Sequence, residues 1–581
     1  MRTITKSLLH ILTRSEKKRA VWIILLMVIG AGLETLGVSL IVPLATAVLS
    51  EGASDQTITI VLILLIVVFV LKNVFLMVQK RIQFRYTTEV YGRIRCDTVH
   101  FYMTRPYVYF LGADSGKIIR TINTDTYQVY TLMNSLLTVY SETIVMAVMV
   151  ILVAVLSPLM TAFVGIILAL EYILITAAVR PYLRKLGDDY RKEGAGANRW
   201  MLQMIRGIKS IRVMGSEPFF EENHRKHVKA MIGADRRESA LQALPRAVIE
   251  AVTVAAMLGL LLFLHLHGKD LATLLPVLSA MVVAAVRLLP AVNRFLSASA
   301  SAAYRKGALE TILGIYKELG NRAETEETAE RDGRDALEKA ADAQPRLLAF
   351  EHEIRMEHVS FTYPEAEEPV LKNVDLTIKK GQSIGIIGPS GAGKTTAVDL
   401  LLGLLSPVEG RVTVDDFDIA SDLKRWHAAI AYIPQEIFIM TGTIRENVAF
   451  GIPQSEIDNA KVWRALEDAH LADHVRTLPG GLDTNIGEAG VKLSGGQRQR
   501  IGIARALYRD PQILFFDEAT SSLDLKTEAE LMESINALKD KKTMIIITHR
   551  LSTIRHCDMV YQVSEGKIGT IEKSIEPYAV S

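Results

Sequence analysis

Gly388-Pro389-Ser390-Gly391-Ala392-Gly393-Lys394-Thr395-Thr396 is a stretch suited to holding a phosphate chain. Its glycines let successive backbone N–H groups turn toward one point, and a helix opening behind the loop favours negative charge. The apolar run Ser383–Ile387 reads as a strand before it, and 395–402 has a helical pattern after it, the context this motif needs. Lys394 is then placed to contact the β- and γ-phosphates, and Thr395 to ligate Mg²⁺. A merely structural glycine turn is disfavoured by that strand and helix. Further on, Ile513-Leu514-Phe515-Phe516-Asp517-Glu518 is an apolar strand that ends in two acids. Asp517 stands where a carboxylate holds Mg²⁺ through water, and Glu518 where a general base or water-positioning group is needed. An ordinary surface role for Glu518 is disfavoured by its place beside the metal carboxylate.

These residues need elements to carry them. The chain has 581 residues, 49% of them hydrophobic, which predicts several domains. A net charge of +2 argues against a nucleic-acid footprint. Cys96 and Cys557 are isolated, so neither a metal site nor a disulfide framework follows, and a reducing cytosol suits both. Six apolar segments, near 21–49, 57–79, 133–156, 158–182, 245–267 and 273–298, are each long enough to cross a bilayer. The first is too long for a cleavable signal. Buried helices of a soluble protein are the alternative, but 60–70 contains no polar residue and a soluble helix keeps a wet face. Arg2, Lys6, Arg14, Lys17, Lys18 and Arg19 precede the first span and place the N-terminus in the cytoplasm. Basic residues at 80–95 and 183–244 mark two more inner connections. Both show helical periodicity, so they read as spans continued into the cytoplasm. The stretch 320–348 is rich in Ala, Glu, Arg and Asp without an apolar stripe, a polar helix or a partly disordered linker. Domains are therefore expected at 1–319 and 349–581, joined by 320–348.

Leu493-Ser494-Gly495-Gly496-Gln497, just ahead of the acidic strand, adds a second motif. Together with the phosphate loop it resembles the nucleotide-binding domain of ATP-binding cassette (ABC) proteins, over roughly 351–570. The resemblance implies an α-helical six-span membrane domain with long cytoplasmic extensions and an α/β P-loop ATPase domain, using ATP and Mg²⁺. It implies that Tyr363 stacks on adenine. Gln435 senses Mg²⁺ and water, and His549 contacts the γ-phosphate. Ser494, Gly495, Gly496 and Gln497 would open a helix aimed at the ATP held by the other subunit. The segment 521–524 matches the D-loop and its Asp524, with Ser522 where Ala is common. The segment 485–490 resembles the exporter-specific loop, keeping Glu488 but carrying Ala489 where a larger polar residue is common. One motif set and one six-span set imply a half-transporter that forms a homodimer, or a heterodimer. Short coupling helices are expected near 123–130 and 214–223. The location implied is multi-pass in a membrane, the bacterial inner membrane, with the ATPase domain cytoplasmic.

The substrate is the least legible part. Ionisable residues inside spans cost about 2.5–3.5 kcal/mol at the centre, so Glu34, Glu142, Glu171 and Arg287, with Glu250 and Arg294 nearer span ends, need a reason. They pair with one another, or they line a path for a polar head group. Residues 34–38 with Pro43, and 287–290 with Asn293 and Arg294, resemble flippases of lipid-linked oligosaccharides. Glu34 and Arg287 are the candidate substrate residues, and an amphipathic or lipid-linked cargo is expected. A multidrug or peptide exporter is the alternative. An ATP-gated channel is disfavoured, because gating needs no good base at Glu518.

Overall fold

A computed structural model of the chain describes residues 1–39, 55–156, 158–267, 275–337, 348, 350–364, 366–518, 539, 541–548, 554–555 and 557–571. It forms two compact units, 1–105 with 112–335 and 106–111 with 336–581.

The first unit is helical. Helix α1 (Arg2–Ile11) buries Ile4, Leu8 and Ile11 along one face. Thr13 and Glu16 then cap α2 (Arg14–Ser39): the Thr13 N–H donates to Glu16 and the Glu16 N–H to the Thr13 hydroxyl. There follow α3 (Asp55–Met103), a short α4 (Tyr107–Leu111) that groups with the second unit, and α5 (Ser115–Arg120). After these come α6 (Thr126–Leu156), α7 (Pro158–Met214), α8 (Glu217–Leu266), α9 (Leu275–Tyr304) and α10 (Lys306–Leu337). The 57 residues of α7 reach ~85 Å at 1.5 Å per residue, far beyond a ~30 Å hydrocarbon core. The apolar segments thus run on into long polar extensions. Ile60, Ile63, Ile66 and Val70 on α3 are exposed, as lipid-facing residues are. Among the described residues, Leu62–Met103 and Ser115–Ile151 are each long and apolar enough to cross a membrane.

Two devices hold these helices together. Small residues allow close crossings: a Cβ on Gly187 of α7 would meet the Tyr304 carbonyl oxygen of α9 at 1.9 Å. Charges are paired. Asp125, fully buried, accepts from Arg191 Nε at 2.9 Å and lies 3.2 Å from Arg120. Arg93 of α3 donates to both Glu16 oxygens at 2.8 Å, to Asp97 and to the Tyr316 hydroxyl of α10.

The stretch 123–130, expected as a coupling helix, has a different setting. It covers the end of a π-helical turn, Thr121–Asp125, and the first turn of α6, where Asp125, Thr126 and Val129 are buried inside the first unit. The buried Asp125 ion pairs account for that inward placement. The short helix that groups with the second unit is α4, whose Val108 packs on the core there. At 214–223 the chain turns between α7 and α8 and leaves Met214 and Phe219 exposed.

The second unit is α/β. Strands β1 (Glu353–Phe361), β2 (Leu371–Lys379), β4 (Glu409–Val414) and β5 (Phe417–Asp418) make an antiparallel sheet in the order β2-β1-β4-β5. A six-stranded sheet has the order β10-β9-β3-β8-β7-β6. It comprises β3 (Ser383–Ile387), β6 (Ile430–Ile433), β7 (Ile513–Asp517), β8 (Thr543–Ile547), β9 (Met559–Ser564) and β10 (Lys567–Ile571). All its pairings are parallel except β10 on β9. β7 and β8 are almost wholly apolar and buried, as strands covered on both faces must be. Two helices complete the scaffold of the site, α11 (Lys394–Leu401) and α12 (Gly495–Tyr508).

Candidate functional site

The C-terminal ends of the parallel strands β3, β6 and β7 bring the chemical residues together. In such a sheet this edge is where ligands bind. From β3 the chain enters the glycine loop. Gly388 has φ 151° and a Cβ there would lie 2.4 Å from the Val563 carbonyl, so only glycine passes. Gly393, at φ 103°, caps α11, leaving the helix N-terminus open toward the loop. The Lys394 ammonium reaches back across the loop to the carbonyls of Gly388 and Pro389, at 2.8 and 2.9 Å. Burial holds its pKa below the usual lysine range, against the pull of Glu518 and Asp517. Thr395 is exposed at the mouth of the loop, whereas Thr396 is buried and shares a 3.0 Å hydrogen bond with the Tyr363 hydroxyl.

β7 delivers Asp517 and, one residue on, Glu518. Burial raises the Asp517 pKa; a hydrogen bond from Tyr432 opposes the rise, adjacent Glu518 adds to it, and Lys394 again opposes. The Glu518 backbone has φ 46°, a left-handed conformation uncommon for this residue type. Gln435, two residues beyond β6, donates from Nε2 to Glu518 Oε2 at 2.8 Å. Lys394, Asp517, Glu518 and Gln435 thus form one cluster.

Ser494 is the N-cap of α12. Its hydroxyl accepts from the Gln497 N–H at 3.2 Å and its own N–H donates to Gln497 Oε1 at 2.8 Å, a reciprocal capping box. Gln497 also meets His474 at 3.0 Å. A Cβ on Gly495 would meet nothing within 4 Å, so this helix start is open.

Asp524 and His549 lie outside the described residues, as do the side chains of Arg287 and Glu171. Glu34 lies on α2, half-buried. Glu142 and Arg294 make a two-pronged ion pair at 2.7 and 3.0 Å, the pairing alternative for those two charges. Sequence reasoning missed three residues of this site. Tyr432 donates to Asp517 Oδ2 at 3.1 Å. His474 braces Gln497. Asp399 on α11 is buried, and its pKa is pushed up to about 6 by that burial and by Asp517. The alternation of β6, which turns only residue 432 outward, was the available signal for Tyr432.

Among the described residues no three His, Cys, Asp or Glu converge as a metal cage. Mg²⁺ needs none, because it is held by one or two protein oxygens together with phosphates and water. An exposed Thr395 and two adjacent carboxylates, Asp517 and Glu518, fit that ion.

Comparison with known proteins follows the same division. Residues 21–267 match the family model described as the ABC transporter transmembrane region, and 371–521 match the ABC transporter model. An ATP-dependent lipid A-core flippase of Nitrosococcus oceani is 30% identical over 472 residues, 80% of this chain and 74% of that protein. A protein of the same name from Ralstonia nicotianae is 45% identical over 221 residues, but the chain spans only 37% of that relative's length. An ABC multidrug transporter of Emericella nidulans is 38% identical over 239 residues, covering 41% of this chain and 18% of that one. The solved structure of a bacterial Atm1-family ABC exporter with ATP bound superposes with a TM-score of 0.76. It covers 95% of this chain and 94% of that one at 23% identity, a likeness of fold.

Proposed function

The chain belongs to the ABC transporters, and from that premise we propose that it is an ATP-driven flippase or exporter working as a homodimer. The observation that carries this reading is the cluster at the end of β7, where Gln435 holds Glu518 beside Asp517 and Lys394. Gly388, Gly391 and Gly393, with Pro389, Ser390 and Ala392 between and beside them, shape the phosphate loop. Lys394 exchanges its two carbonyl partners for phosphate oxygens. Tyr363, tethered to Thr396, offers its ring to the adenine. Thr395, Asp517 and Gln435 would hold Mg²⁺, which when bound neutralises charge between the phosphates. Glu518 takes the proton from, or orients, the attacking water, and Gln435 fixes its side chain. Outside the described residues, His549 and Asp524 are assigned to the γ-phosphate and the subunit contact.

Ser494, Gly495, Gly496 and Gln497 face a ligand held by a second copy. The capping box keeps this helix start ordered while no ligand is there. A state in which ATP touches both its own loop and the partner's α12 is favoured by ATP in proportion to that added contact. Hydrolysis removes the bridge and resets the membrane helices. The exposed turn at 214–223 suits the second coupling stretch, and α4 suits the first better than 123–130 does.

The cargo we assign is an amphipathic, lipid-linked and glycan-bearing molecule, moved out of the cytoplasmic leaflet of a bacterial inner membrane. The flippases named above support this class. Glu34 and Arg287 are the charges we assign to a head group. Reconstitution in liposomes tests the assignment, with ATPase stimulation and flipping measured for lipid-linked glycans, lipid A-core, drugs and peptides. Stimulation by the lipids alone is the expected result. Stimulation by drugs or peptides alone would overturn the cargo class, and flux without ATP turnover would overturn the pump.

A further inference from the structure

Tyr432 has no part in the reading above, yet it touches the metal carboxylate. In the parallel register of β6 on β7 it lies opposite Phe515, two residues before Asp517. Its neighbours Ala431 and Ile433 point into the core, so Tyr432 alone turns its side chain outward. Its hydroxyl donates to Asp517 Oδ2 at 3.1 Å. Its ring forms part of the wall of a cavity of about 370 Å³, together with Leu402, Leu404, His427, Phe450 and Arg505. Asp517 needs such a donor. It is half-buried beside the Glu518 carboxylate.

We infer that Tyr432 is a positioning residue for magnesium: its hydroxyl holds one oxygen of Asp517 and would leave the other for the metal. This rests on Asp517 being the magnesium carboxylate. Outer hydrogen bonds to metal-binding groups commonly set affinity in this way.

The test uses the full-length protein in lipid nanodiscs, as wild type and as Tyr432→Phe. Mn²⁺ is titrated at fixed ATP and the bound ion read by electron paramagnetic resonance. Nucleotide binding without metal and the melting temperature are measured in parallel. Tyr432→Phe should weaken ATP-dependent Mn²⁺ binding about tenfold, the scale of a lost outer hydrogen bond, with metal-free nucleotide binding and melting unchanged. Equal Mn²⁺ affinity in the two proteins overturns the proposal. So does a parallel loss of metal-free nucleotide binding, which would make Tyr432 a packing residue. Asp517→Asn separates the two assignments. It should remove the ATP-dependent Mn²⁺ site; if that site persists, the magnesium assignment of Asp517 fails and takes the proposal with it. If the site is lost while Tyr432→Phe behaves as wild type, Tyr432 alone fails.

Discussion

In the proposed mechanism, turnover depends most directly on Glu518 and Lys394. Glu518→Gln keeps the shape and the bond to Gln435 but loses the base, so hydrolysis should fall by about 10²–10⁴ while MgATP still binds. Single-turnover assays with radiolabelled ATP would show it, and wild-type hydrolysis would remove Glu518 from the role of base. Lys394→Ala should abolish turnover by removing the charge that meets the phosphates, and nucleotide binding should weaken with it. Asp399 gives a prediction in pH. Its folded pKa is about 6, raised above the ordinary aspartate value by burial and by Asp517. The folded protein therefore holds this proton more tightly than the unfolded chain. That favours folding in acid, and the contribution is lost as pH rises through about 6. Asp399→Asn should then stabilise the ATPase unit by ~1–3 kcal/mol at pH 8 and give no gain near pH 4. Thermal melts at both pH values decide it, and a gain that does not depend on pH would assign the effect to packing instead.

At the scale of elements, buried charge fixes how the first unit's helices pack. Asp125 sits at the end of the π-turn with no exposure, and Arg191 from α7 and Arg120 from α5 neutralise it. Asp125→Ala leaves two guanidinium groups without their acid and should cost ~3–5 kcal/mol, read as lost yield and a lower melting temperature in detergent. Unchanged melting would mean that the pair is dispensable. The same contrast explains what could be read from the chain. Local features were legible. The strand Ser383–Ile387 and its glycine loop, the acid-tipped strand at 513–518, and Ser494 with Gln497 three residues later each carry their signal within a few neighbours. The long extensions were legible too, because helical periodicity continues past the apolar runs. Contacts made across the fold were not. Tyr432 meets Asp517 across 85 positions and Glu142 meets Arg294 across 152. Residues 123–130 read as a coupling stretch from the lead-in at 115–120, whereas their burial follows from Asp125 meeting Arg191 across 66 positions.

For the whole molecule, the proposed reading has the open start of α12 in each copy complete a site held by the other. Lys394→Ala subunits mixed with Gly495→Asp subunits should give heterodimers with one site carrying both lesions and one carrying neither. ATPase activity should return above either mutant alone, and one nucleotide should be trapped per verified heterodimer. Verified heterodimers with neither activity nor trapped nucleotide would count against sharing. The grouping of residues 106–111 with the second unit has a consequence for how the protein is made. The ATPase body is not one continuous stretch: one of its pieces leaves the ribosome more than 200 residues before the rest. At about 5–20 residues per second, that early piece waits for on the order of tens of seconds beside the membrane, with its partner not yet synthesised. A fragment of 336–581 made alone lacks Val108 and the apolar turn around it, so it should aggregate more readily than the same body within the full chain. Adding a peptide that spans 106–111 should restore part of its solubility.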